Sequence, residues 1–188
     1  MAAAARLFKE AEDPDSVKMA DIAEAAGAGK GTVFRHFSDR LGLVRALVVE
    51  ETQQLREQVV DGPPPLGPGA PAGERVPALL AALLDLKLNQ RALMLALDRA
   101  GVGSPYLNPA YDLWHSEVAG MLVDVHGREN ADYLAHALLA AVRSDLIRHL
   151  TSQGASPGQL HAGLRRLCAS VLAHGGDDGV DAGADDGG

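Results

Sequence analysis

A single cysteine, Cys168, in a chain of 188 residues excludes an internal disulfide and any multi-cysteine metal site. No apolar run reaches the ~20 residues that a membrane-spanning helix needs, and no stretch reads as a signal peptide, so the expectation is a soluble, cytoplasmic protein without a membrane partner. Aromatic residues make up 4% of the chain, and no segment alternates β-branched and aromatic residues with polar ones in the manner of a strand. Seven histidines, at positions 36, 115, 126, 136, 149, 161 and 174, include no H-x-x-x-H pair. His115-Ser116-Glu117 lacks the downstream cysteines of a zinc deaminase, and the G-x-S-x-G elbow of a serine hydrolase is missing. These absences leave no catalytic residue, metal or cofactor to assign, and they argue against an enzyme.

Apolar residues, by contrast, are abundant at 47%, enough to bury a sizeable core. The net charge of -8 argues at first against a nucleic-acid partner, but Asp177, Asp178, Asp181, Asp185 and Asp186 crowd the last fourteen residues, and without them the balance is -3. Between Gly29 and Arg45 the sign reverses, with Lys30, Arg35, Arg40 and Arg45 set against Asp39 alone. Because charges act over only roughly 10 Å at ordinary salt, that local excess outweighs the total.

Helical periodicity dominates, and the fold class is all-α, with about nine helices. They are expected at about 2–11, 19–26, 30–37, 39–60 (capped by Ser38), 74–89, 90–100, 105–126, 129–152 and 157–174. The prolines of GPPPLGPGAPAG, residues 62–73, forbid a helix there. Glycines at 101, 103, 127 and 154 punctuate the later helices. Three regions follow: residues 1–45 as a helix-turn-helix head, 46–174 as a helical body, and 175–188 as a disordered acidic Gly/Asp tail. Cys168 falls on the apolar period of the last helix and is expected to be a buried thiol.

Asp21 to Arg40, D-I-A-E-A-A-G-A-G-K-G-T-V-F-R-H-F-S-D-R, carries the strongest signal. Ile22, Ala25 and Ala26 recur at helical spacing, Gly27-Ala28-Gly29 breaks the helix, and Val33, Phe34 and Phe37 restart the period. Two short helices joined by a glycine turn make a helix-turn-helix, and Lys30, Gly31, Thr32, Arg35 and His36 are small or cationic residues suited to a groove lined by phosphates. Gly27 to Thr32 also spells G-A-G-K-G-T, the end of a phosphate loop. The first glycine of that motif would be Glu24, Gly31 follows the lysine, and the preceding residues form an amphipathic helix, so a nucleotide-binding enzyme is the poorer reading.

The core I-A-x-x-A-G-x-x-K-G-T-x-F-x-H-F from Ile22 to Phe37, followed by S-D-R-x-x-L to Leu43, resembles TetR-family transcriptional regulators. The resemblance implies a three-helix DNA-binding domain followed by a helical domain that dimerises and binds a small effector, without a cofactor. Carried over by position, it implies that Lys30 and Gly31 reach base edges, and that Thr32, Phe34, Arg35, His36 and Arg40 meet phosphates or, for Arg35, bases. Phe34 stands where a tyrosine is usual, Gly29 replaces a serine cap, and Lys18 replaces a threonine at the start of the second helix, where its charge can meet the DNA backbone. The sequence opens within the first expected helix, so no contact is carried over for the basic arm that often precedes it. Arginine can donate two bonds to guanine O6 and N7, and Thr and His suit phosphate oxygens.

Tyr106, Tyr111, Trp114 and His115 cluster on one expected helix, and with Leu93, Met94 and Leu97 opposite they outline an apolar effector cavity with a few polar handles. Simple core packing is the alternative. Leu134, Leu138, Val142, Leu146 and Leu150 form one stripe and Leu160, Leu164, Leu167 and Val171 another; pairing them across a two-fold axis gives a four-helix dimer interface. The expected function is a homodimeric repressor that binds a palindromic operator and is released by a small molecule. The alternative is a helical small-molecule-binding protein without productive DNA binding.

Overall fold

A computed structural model describes residues 1–99 and 109–173. The described residues are all-helical, with no strand: α1 (Ala2–Glu10), α2 (Met19–Ala25), α3 (Lys30–Phe37), α4 (Arg40–Asp61), α5 (Ala72–Asn89), α6 (Arg91–Arg99), α7 (Pro109–Ala140), α8 (Ser144–Ser152) and α9 (Pro157–Ala173), plus one 3-10 turn at Pro14–Ser16. Tyr106 and the acidic tail lie outside the described residues. Within those residues no helix is long and apolar enough to cross a membrane.

Two hydrophobic clusters organise these helices. The head cluster gathers Ala4 and Phe8 of α1, Val17, Met19, Ile22 and Ala23 of α2 and its approach, Val33 of α3, and Leu43, Val44 and Leu47 of α4. The body cluster joins Leu55 and Val59 of α4 to Val76, Leu79, Leu80, Leu83 and Leu84 of α5, to Trp114, Val118, Met121 and Leu122 of α7, and to Ile147, Leu164 and Cys168. A 22-residue helix is about 33 Å long, so α4 spans both clusters and ties head to body. Each fully buried leucine contributes about 1.5–3 kcal/mol relative to exposure. Burial also pushes the Cys168 thiol up to about 11, which keeps it neutral at ordinary pH.

The head cluster includes more than the N-terminal helices. Leu93, Met94 and Ala96 of α6 are buried in it, with Leu97 packed alongside. Residues expected to face the aromatic side chains of α7 therefore complete the core of the head instead. Within α2 the inward positions are Met19, Ile22 and Ala23, while Ala25 and Ala26, expected inside, are exposed.

Gly127 divides α7 at φ 72°, ψ 163°, a conformation that favours glycine. In an unbroken helix, His115 and Asp132 would stand about 25 Å apart at 1.5 Å per residue. His115 Nε2 lies 3.4 Å from Asp132 Oδ1, so the two arms of α7 fold back on each other as a helical hairpin. The helix expected over 129–152 is interrupted as well: α7 ends at Ala140 and α8 begins at Ser144. The cause is polar. Asp145, in the first turn of α8, accepts two bonds from the Arg143 guanidinium (3.0 and 2.8 Å) and one from the Leu146 N–H (2.9 Å), while Lys87 Nζ donates to the Val142 carbonyl at 2.5 Å. A backbone carbonyl released by the break thus finds a donor.

Candidate nucleic-acid interface

The turn between α2 and α3 is built by backbone geometry. Gly27 sits at φ 61°, its N–H donates to the Glu24 carbonyl (3.0 Å), and the Ala28 N–H donates to the Ala23 carbonyl (2.9 Å). This paired closure at a left-handed glycine ends α2 abruptly. Gly29, extended at φ -65°, ψ 139°, caps α3 and accepts from the Thr32 N–H at 2.9 Å. At the other end of α2, the Lys18 backbone N–H donates to Asp21 Oδ2 (3.3 Å), so the helix start is held from its third residue although a threonine cap is missing.

Val33 is buried and Phe37 half-buried, one turn apart, and they anchor α3 to the head. Lys30, Gly31, Thr32, Phe34, Arg35 and His36 are all exposed. Phe34, placed by its sequence period among the inward residues, is 39% exposed. The Phe37 ring meets the His36 imidazole edge-on at 4.5 Å. The outward face of α3 is therefore a contiguous set of small, cationic and aromatic side chains on a helix fixed from behind. A Cβ added to Gly31 would meet nothing, so no packing inside the protein demands glycine there.

The junction between α3 and α4 holds a glycine that motif reading passed over. A Cβ on Gly42 would collide with the Phe37 carbonyl oxygen, so the close approach of the first turn of α4 to the end of α3 requires glycine. The cap of α4 is Asp39, whose Oδ1 accepts from the Gly42 N–H at 2.7 Å, and not Ser38 as expected.

Arg40 also makes contacts within the head. Its guanidinium turns toward the head itself, where NH2 donates to the Pro14 carbonyl at 2.6 Å and Nε to the Val17 carbonyl at 3.4 Å. Asp15 lies 3.7 Å away, and the Phe8 ring centroid is 5.6 Å beneath. Those donors tie Arg40 to the α1–α2 connection. Lys18 remains exposed, although its Nζ donates to the Asp15 carbonyl at 3.0 Å.

The other candidate residues divide. Leu93 and Met94 are buried, and Leu97 half-buried, on the head side, while Trp114 is buried in the body and Tyr111 packs half-buried against it. Among the described residues the two groups pack into different hydrophobic clusters. A cleft of about 460 Å³ lies where α1, the α5–α6 junction and α8 meet, bordered by Phe8, Lys87, Arg91, Met94, Leu95 and Arg148. Of the interface leucines, Leu138, Val142 and Leu164 are already covered within one subunit. Leu160 and Val171 are half-buried, and Leu146 and Leu167 are 37% and 38% exposed. Tyr111 and His115 belong to a side-chain cluster with Asp132 and His136 that no spacing rule revealed.

The element preceding the lysine-glycine turn is a helix, not the strand a phosphate loop requires. Residues 1–47 match the family model for bacterial regulatory proteins of the tetR family. The chain is 27% identical over 143 residues to an HTH-type transcriptional regulator of Staphylococcus aureus, covering 74% of this chain and 73% of that one. The fold matches the crystal structure of a Rhodococcus sp. protein described as a TetR-family transcriptional regulator, with TM-score 0.69, 20% identity and coverage of 91% and 95% of the two chains. It also matches the TetR family repressor AlkX of Dietzia sp., with TM-score 0.54, 20% identity and coverage of 92% of each chain. With the glycine-turned helix pair in place and its outward face exposed, residues 1–47 form a DNA-binding head of the tetR family, and the chain as a whole is similar in fold to regulators of that family.

Proposed function

We propose that this protein is a repressor that binds a palindromic operator as a homodimer and is released when a small molecule binds its helical body. The observation that carries the DNA reading is the outward face of α3, where Lys30, Gly31, Thr32, Phe34, Arg35 and His36 are exposed together while Val33 and Phe37 hold the helix from behind. Arg35 is the candidate for guanine recognition, with Lys30 and Gly31 reaching base edges beside it; Thr32 and His36 supply phosphate contacts, with Lys18 and Gly29 at the approach of the DNA backbone. AlkX is named a repressor, which supports that sign of control here.

Dimerisation uses the outward leucines of α8 and α9, Leu146 and Leu167, with Leu160 and Val171 at their margin. Two heads related by a two-fold axis would enter successive major grooves about 34 Å apart. Release needs a coupling of only about 1–3 kcal/mol between effector site and head. Two connections can carry it: α4, which contributes to both cores, and α6, whose Leu93 and Met94 complete the core of the head. An effector in the cleft between α1, α6 and α8 would touch head and body together.

Selection of bound duplexes from a random pool tests this reading. The expected product is an inverted repeat with half-site centres about 10 base pairs apart, depleted on adding the right metabolite from a panel. A pool that stays unenriched at low salt would remove the DNA function and favour a small-molecule-binding protein without productive DNA binding.

A further inference from the structure

The hairpin of α7 brings together three side chains that lie far apart in sequence. His115 comes from the first arm; Asp132 and His136, one turn apart, come from the second. One donor atom from each lies within 4.8 Å of the other two. His115 Nε2 is 3.4 Å from Asp132 Oδ1 and 3.2 Å from the Asp132 carbonyl oxygen. The two imidazole rings stack at 3.9 Å between centroids. The His115 side chain is 16% exposed and that of Asp132 is 69% exposed, so the cluster has one sheltered wall and one side open to solvent.

Two imidazoles and a carboxylate are a donor set for borderline divalent ions. A tetrahedral ion with bonds of about 2.0–2.1 Å sets its donor atoms about 3.4 Å apart, so the stacked imidazoles would turn out of their near-parallel arrangement to face one ion. The surroundings supply the orienting contact that metal-binding histidines need. The Tyr111 hydroxyl is hydrogen-bonded to His136 Nδ1 at 2.5 Å, and its ring stacks 5.8 Å from that of His136. An ion held by His136 Nε2 would leave the Nδ1–H to donate to the tyrosine oxygen.

From this geometry we propose that His115, Asp132 and His136 form a three-ligand site for a divalent first-row transition-metal ion, with zinc as the member that suits the donors, and that Tyr111 positions His136. The fourth coordination place goes to water or to a small anion. An ion there would pin the arms of α7 to each other across Gly127, bracing the hairpin that carries Trp114 and Val118 into the body core. The site is independent of the DNA-reading face of α3, and either can fail without the other.

Titration of the metal-stripped full chain with zinc alone, followed by calorimetry, tests the proposal, with cobalt as a spectroscopic probe of the ligand field. One saturable ion per chain is expected, together with a rise in Tm in excess zinc. His115→Ala and His136→Ala should each weaken binding by more than about tenfold and abolish the Tm rise. Tyr111→Phe should weaken it by about 10–100-fold. His161→Ala, at a histidine paired with Asp85 elsewhere in the body, should change neither. Far-UV circular dichroism checks that the variants fold; if the alanine forms do not, His115→Gln and His136→Gln provide the same readout. Zinc that fails to saturate near one ion per chain, or that binds equally well to both histidine variants, overturns the site.

Discussion

Arg40→Ala separates a structural arginine from a phosphate-binding one. The charged hydrogen bond to the Pro14 carbonyl at 2.6 Å is worth about 1.5–3 kcal/mol. The guanidinium 5.6 Å from the Phe8 ring centroid adds about 0.5–1 kcal/mol, and the half-exposed pair with Asp15 about 0–1 kcal/mol. Water can reach the carbonyls once the side chain is gone, which offsets part of that loss and leaves a net cost of about 2–3 kcal/mol. For a chain of this size the corresponding fall in Tm is roughly 4–12 °C. Arg40→Lys should recover only part of it, because an ammonium cannot serve two carbonyls in the way the planar fork does. Thermal unfolding of the three proteins, paired with salt titrations of DNA affinity, provides the readout. An unchanged Tm with a salt slope shallower by about one per half-site, restored by lysine, would refute the structural role and return Arg40 to the phosphate backbone.

Three further outcomes follow from the packing and the charges. Leu167→Glu, at an outward position of α9, should yield folded monomers by light scattering, whereas Leu164→Glu, at a buried one, should unfold the body; a dimeric Leu167→Glu protein would move the interface elsewhere. Leu93→Ala should destabilise the head by about 2–5 kcal/mol although it lies in α6, and retention of full stability would detach α6 from the head core. The Arg143 hydrogen bonds hold the Asp145 carboxyl down to about 2, below its ordinary 3.8. Its contribution to the start of α8 is therefore present above about pH 4 and lost as the pH falls toward 2. Amide exchange across Ser144–Ser152 should show that acid-induced opening in the native protein, and Asp145→Asn should lack the step.

Much of the architecture was legible because its punctuation is local. Gly27 and Gly127 adopt positive φ and the proline-rich stretch follows α4, so the breaks at these places coincide with residues whose backbone chemistry dictates them. The break between α7 and α8 is hidden because the leucine period runs through it unbroken; the side-chain bond between Arg143 and Asp145 found at that break is invisible to a periodicity. Periodicity also shows which residues are apolar but not which neighbour they meet. Leu93 and Met94 are as inward as their spacing implies, yet they pack on the head, and Leu138 and Val142 are spent inside one subunit. Position and charge alone point Arg40 toward DNA; its partners within the head, the carbonyls of Pro14 and Val17, lie more than twenty residues earlier and carry no side-chain signature. The His115–Asp132–His136 cluster is a product of the hairpin at Gly127, and ligand spacing within a single helix could not have revealed it.

The most direct measurement is a fluorescence-anisotropy titration of selected duplex DNA with the native protein and with Arg35→Ala, across single base-pair variants of each half-site. The exposed face of α3 predicts that the variant loses affinity and that its preference collapses at one position per half-site, by about 1–3 kcal/mol, while its Tm is unchanged. Equal affinity and equal preference in the two proteins would contradict the assignment of Arg35 and of the helix face that presents it.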